Sequence, residues 1–248
     1  MKKTILLTIA LGALTCVSAQ AKDCAALPNH AALKKALTAA RSEANGGLNL
    51  DMWATLVDRS GTVCAVAYTG ETVDAQWPGS RVISAQKANT ANAFSLKALA
   101  LSTANLYSAV QPGGSLFGLQ ESNPVNVEAA YAGDVKKYGS SKDPLVGKRI
   151  GGVNVFGGGL ALYNVKGEII GAIGVSGDTS CADHNIAWKA RHTLGLDFVP
   201  AGVAPTKNDN IIFDITNGKS AGGFGHPTCG AKDKEIAASL PATQTVKK

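Results

Sequence analysis

Aromatic residues make up only 6% of the 248-residue chain and charged residues only 17%, while apolar residues reach 45%. So little charge beside so much apolar character excludes a disordered chain and predicts a globular one able to bury a sizeable core. No collagen-like glycine period, heptad or repeat of roughly 20 to 50 residues is present, which excludes fibres, coiled coils and solenoids. No apolar run approaches the ~18 residues that a membrane-spanning helix needs. There is no C-x-x-C pair, so the usual zinc spacing is missing, and no C-x-x-C-H, so a c-type haem attachment is excluded. Basic residues are scattered and never interleaved with aromatics, which argues against nucleic-acid binding.

What is there begins with an address. Lys2 and Lys3 precede a short apolar run from Ile5 to Leu14, and Ala19-Gln20-Ala21 offers small residues to a signal peptidase. Residues 1–21 are therefore expected to be a cleaved signal peptide, and the mature chain to be periplasmic or secreted. Removing the two lysines from 24 basic residues leaves 22 against 18 acids, a mild mature charge of +4. Cys16 leaves with the signal, so Cys24, Cys64, Cys181 and Cys229 remain, an even set in an oxidising compartment. Two disulfides are expected. Sequence alone does not choose among the three connectivities; the expected pairing joins Cys24 to Cys64 and Cys181 to Cys229, tying each chain end to the core.

Periodicity then sets out the elements. Pro28-Asn29 starts a helix carrying Leu33, Leu37 and Ala40, and Gly46-Gly47 stops it. Alternation from Leu48 to Leu56, a Ser60-Gly61 turn and Val63 to Tyr68 predict a hairpin. Val82 to Ser108 reads as two helices meeting near Ser95, ended by Gln111-Pro112-Gly113-Gly114. Gln120 to Gly152 reads as a long surface excursion. A second hairpin follows over Gly159 to Tyr163 and Ile169 to Val175, then a helix from Thr179 or Ser180 to about Leu194. The rest is expected to be mostly loop with one strand over Asn210 to Ile215. Two hairpins with helices around them predict an α+β fold, an antiparallel sheet covered by helices.

Three segments could carry chemistry. Gly171, Gly174 and Gly177 lie where a phosphate loop would, but without a P-loop or dinucleotide fingerprint they are expected to admit a close backbone neighbour. Gly174-Val175-Ser176-Gly177-Asp178 lacks the final glycine of a nucleophile elbow, so a hydrolase is rejected. In the last long helix, Ser180 as N-cap would place Asp183 in a capping box. His184, Trp188 and His192 then line one face. His184, near the positive end of the helix dipole, is favoured as neutral imidazole, the metal-binding form, and is the candidate ligand of a haem iron. The alternative is that this stripe packs against the sheet or a subunit interface. His30 and His226 are expected to be surface residues. Lys87, Asn89, Thr90 and Asn92 either make structural hydrogen bonds or point into a ligand cleft closed by the loop from Gln111 to Leu119.

"SAQKANTANAF", "QPGGSLFGL" and "GEIIGAIGVSGD" together resemble the GlcG/HbpS-like family, also called DUF336 or the haem-binding GlcG-like domain. The resemblance covers about Gly47 to Leu194, so residues 22–248 are expected to form a single domain with a core at about 47–194 and a C-terminal extension at 195–248. It implies a five-stranded antiparallel sheet flanked by helices, in a profilin-like layering, that usually assembles into homo-oligomers. It also implies haem, or another small molecule, as partner and cofactor. The chain departs from the family where Phe156-Gly157-Gly158-Gly159 replaces a Pro-Gly-Gly turn, and haem coordination varies within the family, so no axial ligand transfers by motif. Capture or sensing of haem is the leading expectation. The alternatives are an enzyme acting on a small carboxylate or aldehyde in a cleft lined by Lys87, Thr90 and Gly157 to Gly159, or a structural oligomer without catalysis.

Overall fold

The structure is a computed structural model that describes residues 24–230 and 232–247. The expected signal peptide and Cys16 lie outside the described residues. Helix α1 (His30–Arg41) starts where expected because the Asn29 side chain accepts the Ala32 N–H at 3.0 Å. It buries Leu33, Leu37 and Ala40. Strands β1 (Trp53–Asp58) and β2 (Val63–Tyr68) form the first hairpin, and β3 (Gly159–Tyr163) and β4 (Ile169–Ser176) the second. Between them runs α2 (Ser80–Phe94), and after β4 comes α4 (Ser180–Thr193).

The strands form one antiparallel sheet in the order β2-β1-β4-β3. Among the described residues it has four strands where five were expected. Each edge is met by a single rung instead of a fifth strand: Val63 exchanges backbone bonds with Gly147 and Lys148 beside β2, and the Tyr163 N–H reaches Leu196 O beside β3. Alternation along β1 explains the layering. Ala54 and Leu56 join Leu33, Leu37, Ile186 and Trp188 on the face covered by α1 and α4. Trp53 and Val57 join Val82, Ala85 and Ala88 on the face covered by α2. Gly174 lets α2 press onto β4, since a Cβ there would collide with Ser84 O and Ala88 N.

Several expectations need correction. Helix α2 ends at Phe94 with no second α-helix up to Ser108, because Ser95 Oγ donates to Leu101 O and accepts the Leu101 N–H, folding the chain back into short 3-10 turns. The stretch from Gln120 to Gly152 is not merely a surface excursion. It carries α3 (Val127–Ala130), places Leu145 and Ile150 in the α2-side core, and is pinned by the buried Arg81–Asp143 pair at 2.9 Å. Asn210 to Ile215 forms no strand; only the two-residue pair β5 (Ile215–Thr216) and β6 (Lys219–Ser220) forms, followed by an unforeseen helix α5 (Asp233–Ser239).

Candidate functional site

The middle of α2 and the start of α4 meet at the end of β4. Lys87 Nζ lies 2.6 Å from Asp183 Oδ2 and donates to Val175 O at 3.3 Å, with both side chains buried. Asp183 is therefore not the partner in a capping box. The N-cap is Thr179, whose side chain accepts the Ala182 N–H, and Asp183 comes one residue too late to reach back. Instead its second oxygen accepts the Asp178 N–H at 2.9 Å. Burial pushes the Asp183 pKa up to about 6, against the pull of the Lys87 charge.

The three glycines complete this junction by being thin. A Cβ on Gly157 would strike Ser180 O, one on Gly158 would strike Val175 O and lie 3.2 Å from Lys87 Cδ, and one on Gly159 would strike Lys87 O. Gly158, with φ at +120°, also needs glycine's backbone freedom. They thread the entry to β3 between two helices so that Lys87 can reach Asp183. Thr90 does not face the cleft floor: its hydroxyl donates to Gln86 O and accepts the Asn154 N–H. Asn89 and Asn92 likewise bond Gly152 O and Arg59 O.

Above the Lys87–Asp183 pair opens a cleft of about 340 Å³ lined by Trp77, Ser80, Phe156, Ser176 and Asp178 among others. Trp77 and Phe156 form aromatic lips, 51% and 42% exposed. The Gln111 to Gly114 turn does not close this cleft. It walls a second groove of about 580 Å³ together with Tyr107, Lys219 and Pro227. The Tyr107 and Phe156 rings, 6.5 Å apart, stand between the two.

The α4 stripe is elsewhere. His184 is 0% exposed, with Asn210 Oδ1 and the Ile211 N–H each 3.2 Å from its Nε2. Trp188 donates from Nε1 to Pro241 O at 2.9 Å, and His192 Nδ1 lies 2.7 Å from Asp197 Oδ2. This face is covered by the C-terminal extension, so His184, Trp188 and His192 are not brought together with Lys87 around one cavity. Burial drives the His184 pKa down to about 3, so the expected neutral imidazole is present, enforced by enclosure. His30 is half-buried, its Nε2 2.8 Å from Gly139 O.

His226 is the residue that sequence reasoning misplaced. It was expected on the surface and is 1% exposed, its ring 5.1 Å from that of Tyr107. The adjoining Cys181 and Cys229 are bridged, as are Cys24 and Cys64, with Cα separations of 6.0 and 5.4 Å, in the expected pairing.

A match to the protein family described as "Haem degrading protein HbpS-like" spans residues 29–192, more than half of the chain. The chain belongs to the HbpS-like family. No curated protein matches it. Among solved structures, this HbpS-like chain is similar to a PduOC–haem complex at 24% identity and TM-score 0.47, over 68% of this chain and 96% of that one. It is also similar to Klebsiella pneumoniae protein ORFY, a DUF336 protein, at 27% identity and TM-score 0.42, over 77% and 97%. Streptomyces reticuli HbpS, in a double-mutant form, follows at 18% and 0.41, over 78% and 99%. Membership rests on the sequence match, not on these superpositions. The matched range contains Lys87, Gly157 to Gly159 and Asp183 but stops short of His226.

Proposed function

We propose that this is an exported haem-binding protein that captures or senses haem and is not itself a catalyst. The observation that carries the reading is the HbpS-like match across residues 29–192, the range that builds the Lys87 cleft. The residues fit such a ligand. A tetrapyrrole is flat and apolar with carboxylates at one edge; Trp77 and Phe156 offer flat apolar walls, while the exposed Lys219 offers a cation in the neighbouring groove. Bound haem would supply a redox-active iron; the chain's part is to enclose the ring, orient its carboxylates and exclude water. Export is supported by the apolar leader and the two disulfides, which persist in oxidising compartments. Among the described residues no helix is long and apolar enough to cross a membrane. Haemin titrated into the mature apo chain should give a saturable Soret shift at about one haem per chain or per pair of chains, the latter if the expected homo-oligomer shares a site. A Soret band that persists for hours in air with an electron donor present separates binding from turnover, and absence of any saturable shift would remove the reading.

One observation favours a second reading. Asp183, held near pKa 6 beside Lys87 at the floor of a cleft, is poised for proton transfer to a small carboxylate or aldehyde. A crystal soaked with such compounds that shows one on Lys87, in a chain that does not take up haemin, would select it.

A further inference from the structure

Between α2 and β3 the chain makes a closed loop with two unlike faces. Its ends meet where Val125 bridges to Gly151 and the Asn126 N–H donates to Ile150 O at 2.8 Å. Within it, Tyr138 Oη donates to Tyr131 O at 3.2 Å, and Gly133 sits so near Pro144 that a Cβ would strike the ring. The inner face belongs to the core: Ala130, Leu145 and Ile150 pack with Val82 and Ala85 of α2, and Arg81 donates to Asp143 and to Ala130 O. The other face is bare. Val127, Tyr131 and Val135 are 60%, 62% and 58% exposed, an unusual concentration of apolar side chains for nine residues of surface.

The exposed side of this loop is also basic. Lys136, Lys137, Lys142, Lys148 and Arg149 are all exposed, against two exposed carboxylates, Glu128 and Asp134, a net charge of +3. Among the described residues none of the five lies in an ion pair. The charge selects the partner. A two-fold contact of this face with a second copy would set five cations against their own images. The loop lines none of the cavities at Tyr107, Thr179 or Lys87, so it offers no socket for an anchoring side chain of a protein partner. An anionic bilayer needs no socket: it admits valine and tyrosine side chains at headgroup level and draws cations to its phosphates.

We infer that the loop from Val125 to Gly151 docks the protein on an anionic phospholipid surface. Val127, Tyr131 and Val135 enter the headgroup layer, and the five cations meet the lipid phosphates. Among the described residues no helix is long and apolar enough to span, so this contact is peripheral and weakens with salt. It goes beyond the haem-binding reading and does not depend on it.

Sedimentation of the mature full-length chain with large vesicles tests it, pure phosphatidylcholine being compared with phosphatidylcholine mixed with phosphatidylglycerol. Saturable binding is expected with the mixed vesicles alone, falling as salt rises. Lys136→Gln with Lys137→Gln should weaken it roughly twentyfold, about fivefold for each lysine. The equally exposed pair on α1, Lys34→Gln with Lys35→Gln, should change it by less than about twofold. Tyr131→Ser with Val135→Ser should weaken it at every salt concentration. All six positions are exposed, so each variant should keep the wild-type melting temperature. Equal binding to both kinds of vesicle, binding to neither, or an equal loss in the Lys34 and Lys35 variant would overturn the proposal. So would a concentration-dependent dimer that the loop variants abolish, since the face would then belong to a second copy.

Discussion

His184 is neutral in the folded chain because burial holds its pKa near 3, whereas in the unfolded chain it titrates near 6.5. Below pH 6.5 the unfolded chain therefore binds a proton that the folded one refuses, so stability present above 6.5 is lost as pH falls toward 3. His226, lowered to about 4 by the same burial, acts in the same direction. Asp183 acts in the opposite one: its pKa is raised from 3.8 to about 6, so the folded chain holds a proton between those values and gains stability as pH falls through them. Two histidines oppose one carboxyl. At pH 5 each histidine costs about 2 kcal/mol and Asp183 offsets less than either. Urea unfolding should show a lower midpoint at pH 5 than at pH 7.5. An unchanged midpoint would mean that the histidines are solvated.

The close approach of α2 to β4 depends on Gly174, and this element-level contact gives a sharp test. Gly174→Ala would force a methyl into Ser84 O and Ala88 N, backbone atoms that cannot swing away, so it should cost about 3 kcal/mol or more or abolish soluble expression. A soluble variant with wild-type melting temperature would disprove that packing. The two hairpins and the starts of α1 and α4 were legible because alternation and caps are local signals, and each begins within one residue of its reading, apart from β1, where alternation ran ahead of the strand into Leu48 to Met52. What was not legible is long-range. Ser95 looks helical until its hydroxyl is seen to bond Leu101, and Asp183 looks like a cap until Lys87 is found opposite it. Of the candidate site, Lys87 was grouped with Thr90 and Gly157 to Gly159 as a cleft lining, and of these Lys87 alone lines the cleft, whereas the enclosure of His184 by Asn210 and Ile211 and the anchoring of Trp188 by Pro241 come from a segment without periodicity.

At the scale of the molecule, the segment after α4 completes the core. With the leader and Cys16 removed, both bridges predict no free thiol in the denatured, unreduced chain; several thiols reacting with Ellman's reagent would contradict them. A second tie is ionic. Arg191 of α4 is fully buried, forked onto both oxygens of Asp209 at 2.7 and 2.8 Å, and also donates to Ala161 O of β3. Asp209→Ala strands that guanidinium and should cost about 3–5 kcal/mol, because an unpaired buried charge is far worse than none. A chain ending at Leu194 loses Asp209 together with the Pro241 acceptor of Trp188 and the Cys229 half of a bridge, leaving an uncovered apolar face with a bare charge in it. The family-matched core alone should therefore bind a hydrophobic dye, lack a cooperative urea transition and precipitate at concentrations where the whole chain is soluble. If the truncated chain unfolds cooperatively at the wild-type midpoint, α4 must be able to satisfy Arg191 and Trp188 from within the core, and the extension is an addition to the fold and no part of it.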